Sequence, residues 1–163
     1  MVIPRGEESV LNKLKTCLFV ALCLLAGASY ADLNEAQQSV WEVVEQSWVD
    51  DVAKNGKWPA NYVHDEVVNW SESWPSPRTK ASMMNWNRFY NESDARTLIY
   101  ELFPGAIVVV GDTAVVTYNV VTIEEDAKKE RKRESYGEVE TLVRVGKTWK
   151  YLGLTGFLRE SDD

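Results

Sequence analysis

The stretch VGDTAVV, Val110 to Val116, decides how the second half of this chain reads. Gly111-Asp112 is a turn signal set between runs rich in Val, Ile, Thr and Tyr. A hairpin is expected, with strands over 97–110 and 113–123. Gly146-Lys147 repeats the signal between 135–145 and 148–158, which is the pattern of an antiparallel meander. Between the second and third of these strands lies EEDAKKERKRE, Glu124 to Glu134. Its mixed charges predict a long exposed hairpin tip rather than a basic binding arm.

Working back toward the start, the periodicity changes. Asp32-Leu33-Asn34-Glu35 reads as a capping box. Behind it Leu33, Val40, Trp41, Val44, Trp48 and Val52 recur at helical spacing, and Asn55-Gly56 should end the helix. A short helical turn is expected over 58–62, then a strand over 64–70 and a loop at Trp74-Pro75-Ser76-Pro77. From Pro77 to about Glu92, Ala81, Met84, Trp86 and Phe89 predict a second amphipathic helix. Helices before strands in 163 residues predict one α+β domain with its helices on one face of a sheet.

Residues 1–31 have another character. Lys13 and Lys15 precede the apolar run from Cys17 to Ala26, and Ser29 and Ala31 suit a signal-peptidase site. The run is short for a permanent span, which needs about 20 residues. Cleavage after Ala31 and export to the periplasm or beyond are expected, leaving a single domain over 32–163. Glu7 and Glu8 do not suit such a signal, and Gly6-Glu7-Glu8 must be encoded by a purine-rich string like a bacterial ribosome-binding site. Translation is therefore expected to begin at Val10 or Leu11.

Both cysteines fall inside the signal, so neither a disulfide framework nor a cysteine metal site is expected. With one histidine in the chain, no metal and no cofactor is expected. The formal net charge is −7, and removing residues 1–31 makes the remainder more acidic. That balance argues against nucleic acid, whose binding rests on phosphate neutralisation, and against anionic membrane surfaces.

The order of these elements resembles the nuclear-transport-factor-2-like superfamily, with its SnoaL-like and ketosteroid-isomerase-like proteins. The residues that carry the resemblance are the tryptophan-bearing first helix, His64-Asp65-Glu66-Val67-Val68-Asn69-Trp70 and Pro75-Ser76-Pro77-Arg78-Thr79-Lys80. Val110 to Val116 and Gly146-Lys147-Thr148-Trp149-Lys150 are the most telling pair. Together they span about Asp32 to Phe157. The resemblance implies a cone-shaped fold, with N-terminal helices packed on a strongly curved antiparallel sheet and a pocket inside. It also implies a homodimer through the outer sheet face. The superfamily hosts isomerases, dehydratases, epoxide hydrolases, cyclases and members without chemistry, so fold leaves function open. Relatives often end the last strand with a histidine and a serine, where this chain has Leu154 and Thr155.

In such a fold the segment from His64 to Trp86 would run from the pocket wall across its mouth. Trp48, His64, Trp70, Trp74, Trp86 and Tyr118 are then the candidate ligand-binding residues. The plainer alternative is that the tryptophans fill the core. His64, with an ordinary pKa of about 6.5, and Asp65 are the candidate general bases. Strand alternation would put His64 and Glu66 on one side and Asp65 on the other, and a solvent-facing histidine is the bland reading. The ketosteroid isomerase set, a worked example of pKa tuning, needs a tyrosine and a second aspartate that the first helix and last strands do not offer. Two-histidine dehydratase and Asp–Arg–Asp hydrolase sets are likewise unmatched. Glu138 and Glu140 share a strand face. Inward, they would raise each other's pKa and bind a cation or move a proton. Arg144 on the same face argues for an outer, salt-bridged surface.

The expected protein is thus an exported homodimer binding a small apolar molecule. The alternatives are an isomerase- or hydrolase-type enzyme with His64 or Asp65 as base, and an interaction module with a filled pocket.

Overall fold

The structure is a computed structural model of the chain, and it describes residues 33–72 and 74–161. The expected signal, its cleavage site, the start at Val10 or Leu11 and the cap residue Asp32 lie outside the described residues. The folded unit begins at Glu35. Its elements are α1 (Glu35–Val52), β1 (Val63–Asn69), α2 (Lys80–Glu92), β2 (Arg96–Val110), β3 (Thr113–Glu125), β4 (Arg131–Val145) and β5 (Thr148–Ser161). Two helices and a five-stranded mixed sheet make an α+β fold. The sheet order is β1-β5-β4-β3-β2. The meander is as expected from the turn signals, and Gly111 and Gly146 take the positive φ that those turns need. β1 adds itself at the far edge, parallel to β5.

Pairing between β3 and β4 sets which side chains meet inside. Val116 lies opposite Glu140 and Tyr118 opposite Glu138, while Leu154 on β5 pairs with Glu140. Period-two alternation sends Ala114, Val116, Tyr118 and Val120 to one face, and all four are buried. α1 lies on that face through Val40, Trp41 and Val44. The Trp41 indole meets the Tyr118 ring edge-on at 5.7 Å, and Trp149 Nε1 donates to Ser39 Oγ at 3.1 Å. Truncating a buried indole of this kind costs about 3–5 kcal/mol.

α2 starts at the cap residue Thr79, whose Oγ1 accepts from Ser82 N–H. Its far end is held by Lys54, just beyond α1. The ammonium donates to the carbonyls of Tyr90 (2.9 Å), Ser93 (3.0 Å) and Ala95. These are acceptors that a helix end leaves unpaired, and a cation there also suits the helix dipole.

Three expectations are corrected. The charged run from Glu124 to Glu134 is mostly strand, because pairing continues to Glu125 opposite Arg131. Cross-strand charge pairs hold the ladder together to its end, and only 126–130 forms the tip. α2 buries Met83, whereas Ala81, Met84, Trp86 and Phe89 are exposed. Finally, β1 does not alternate cleanly. It advances from Val63 to Val68 while β5 advances only from Tyr151 to Gly153, so the residues between bulge from the ladder.

Candidate functional site

Glu138 and Glu140 point inward. They share the face of Leu142, which is fully buried, and both line a cavity of about 130 Å³ under α1. The outward reading from Arg144 fails because that residue lies near the strand's end, its guanidinium over the Trp149 ring at 4.5 Å. α1 contributes Asp51 and Trp48 to this well, and the turn after it contributes Trp58. Tyr118 and Leu154 close the floor.

A relay of hydrogen bonds runs into the well. Trp48 Nε1 donates to the Tyr118 hydroxyl at 3.0 Å, and that hydroxyl donates to Glu140 Oε1 at 2.9 Å. Ser47 and Tyr151 bond to each other through their hydroxyls at 3.0 Å beside it. Glu140 Oε2 is buried and has no hydrogen-bond partner. A buried polar atom left so is costly, and natural proteins tolerate few of them.

The electrostatics follow from that shortage of donors. Burial pushes Glu140 well above the carboxylate range, and the Glu138 charge adds to it against the hydroxyls of Tyr118 and Tyr151. Burial also takes Glu138 up to about 8. Asp51 rises to about 6 by burial, although Asn87 of α2 donates to it at 3.0 Å. Gly156 is the reason Glu138 fits. A Cβ at 156 would lie 2.7 Å from both carboxylate oxygens of Glu138.

A second, wider cavity of about 440 Å³ shares Glu138 and Leu154 with the well as a common wall. Trp74, Tyr136 and Leu158 line its apolar side. Trp74 is fixed by Arg78, whose guanidinium sits 3.3 Å from the Trp74 ring centroid and 4.8 Å from that of Trp86. Asn69 and Arg78 exchange backbone hydrogen bonds at 3.1 and 2.7 Å, which holds the loop against β1.

Of the candidate ligand residues, Trp48 and Tyr118 line the well and Trp74 lines the wider cavity. His64, Trp70 and Trp86 line neither. Trp70 and Trp86 are more than half exposed. His64 lies on the β1 bulge, where its Nδ1 accepts from Glu66 N–H at 3.1 Å. Asp65 is exposed, and Lys80 at 2.8 Å holds its carboxyl below the usual range. Neither candidate base, His64 or Asp65, lines the well or the wider cavity. The carboxyl groups of the well, Asp51, Glu138 and Glu140, are the ones there held above the ordinary range. The parity of Glu138 and Glu140 with Leu142 and Tyr136 was the sequence signal for two of them. Asp51 had none, because helical spacing sets it beside Asp50 and does not say which of the two faces a cavity. Among the described residues no three acidic, His or Cys side chains converge as a metal site.

No sequence-family model and no curated protein matches the chain. Solved structures do. A ketosteroid isomerase-like protein from Erwinia carotovora atroseptica superposes with a TM-score of 0.68 at 13% identity, over 78% of this chain and 99% of that one. A nuclear-transport-factor-2-like protein from Cytophaga hutchinsonii gives 0.63 at 12%, over 78% and 100%. A hexachlorocyclohexane dehydrochlorinase gives 0.67 at 10%, over 78% and 87%. The fold is nuclear-transport-factor-2-like.

Proposed function

We propose that this protein binds a small molecule, with a polar head in the inner well and an apolar body in the wider cavity beside Trp74. The observation behind this reading is Glu140 Oε2, a buried and unpartnered oxygen at the wall of an aromatic-lined cavity. The volumes divide the labour. Drug-sized ligands occupy about 300–1,000 Å³, so the wider cavity suits a body and the well only a head. Export after Ala31 and a homodimer belong to the same reading. Val108, Val115, Val139 and Phe157 lie exposed on the sheet face opposite the well, which supports a pairing surface there.

Native mass spectrometry of the protein purified from its host tests it. A small non-covalent adduct is expected, and it should be absent from Leu154→Trp, which fills the wall between the cavities. Circular dichroism checks that the variant is folded. No adduct on the wild type, or an undiminished one on a folded Leu154→Trp, overturns the reading.

A second reading is proton transfer. Asp51 near 6 and Glu138 near 8 flank one well, the separation of acid and base that general catalysis uses. In that case Asp51 is the base and the Glu138–Glu140 pair holds the proton. An adduct with an acidic C–H bond, consumed by wild type and left intact by Asp51→Asn, would favour it.

A further inference from the structure

The well is lopsided in its titratable groups. Asp51, Glu138 and Glu140 bring three carboxyl groups to it, and no Lys, Arg or His lines it. Other buried carboxylates in the same chain have cations beside them. Glu125 meets Arg96, Lys129 and Arg131, and Asp50 meets Lys57. A cationic partner is therefore absent from the lining of the well, where Oε2 of Glu140 is also unpartnered.

The walls narrow what could supply that charge. A hard metal ion needs several oxygens within about 2.6 Å of one point, and no such convergence is present among the described residues. Trp48 and Trp58 instead offer large aromatic rings, which attract a diffuse organic cation. We propose that the well binds the protonated amine head of a small organic molecule, with N–H groups donating to Glu140 and Glu138 and Trp48 and Trp58 packed beside the charge. This rests on the small-molecule reading above and names its ligand class.

Protonation gives the inference a sign. In the empty well the Glu138–Glu140 pair holds protons at neutral pH, and an ammonium must displace them. Amine affinity therefore rises with pH, and protons are released on binding. Asp51 on α1 is already ionised over most of that range. Tyr118 on β3 and Tyr151 on β5 stay neutral throughout, since burial pushes both hydroxyls upward.

Calorimetry with benzylamine, benzyl alcohol, acetophenone and benzoate makes the test. Benzylamine should bind at least about tenfold more tightly than the other three. It should gain about tenfold between pH 6 and pH 8.5 and release protons to the buffer. Glu140→Gln and Glu138→Gln should each weaken benzylamine about tenfold and leave the weak binding of benzyl alcohol in place. Equal or tighter binding of the neutral probes, or affinity that falls with pH, overturns the amine and leaves the small-molecule site standing. If no probe binds and the host protein carries no adduct, both readings fall together.

Discussion

Two groups of buried carboxylates lie in this small domain, and their surroundings are opposite. At the hairpin end of the sheet Glu125 is 4% exposed, yet Arg96, Lys129 and Arg131 hold it below the ordinary range against the effect of burial. Asp50 is similar, accepting from Tyr62, Asn55 and Lys57. In the well Glu140 is equally buried, with only tyrosine hydroxyls to offset it, Tyr118 donating at 2.9 Å, and no cation lining the well. Burial is the same in both places and the protonation is not. Donor supply decides it, and a group kept short of donors by its own protein is available to something else.

The sharpest way to break this comparison is through pH. Folded Glu138 keeps its proton to about 8, whereas an unfolded glutamate releases it near 4.5. Stability is thus fully present below about 4.5 and is lost as pH rises through about 8. The loss from Glu138 is on the order of 4 kcal/mol. Urea unfolding at pH 5 and pH 9 reads it, and Glu138→Gln should remove its share of the slope and leave that of Glu140, which burial also raises. A slope unchanged in the variant would remove Glu138 from the explanation.

Glu125 should show the reverse sign and a smaller effect. Its lowered pKa gives stability above the ordinary carboxylate range, lost as pH falls through the folded value. Glu125→Gln is expected to lower Tm by about 5 °C at pH 7 and to match wild type near pH 2. The smallest effect tests the relay itself. Tyr118→Phe removes the donor to Glu140 and the acceptor of Trp48 Nε1. It should cost about 1–2 kcal/mol in equilibrium unfolding at pH 7. A neutral result would mean that water replaces the hydroxyl in the well.

The same contrast bears on how far the amino-acid sequence alone reveals the fold and the well. Turn residues and β-rich runs placed the four-stranded meander correctly, because Gly111 and Gly146 are local signals. The partner of β1 was hidden, since alternation along a strand says nothing about which strand lies beside it. The bulge between Val63 and Val68 then undid the alternation used to place His64 and Asp65. Arg144 misdirected the reading of Glu138 and Glu140, because parity assigns a face but not the distance from the strand's end. Trp86 and Phe89 looked like core by spacing and are exposed. Trp48 and Tyr118, named from the likeness of fold, line the inner well, and no sequence pattern pointed to Asp51 beside them.

Gly156 limits how this chain can vary through descent. Its missing side chain is the space in which the Glu138 carboxylate rests. A lineage that replaces Gly156 with any larger residue must swing the Glu138 carboxylate, the far end of a flexible side chain, out of that space or lose it. In a family of such chains, glycine at 156 would mark the members that keep the acidic well. Alanine or valine there would mark those in which the carboxylate at 138 has been moved or lost.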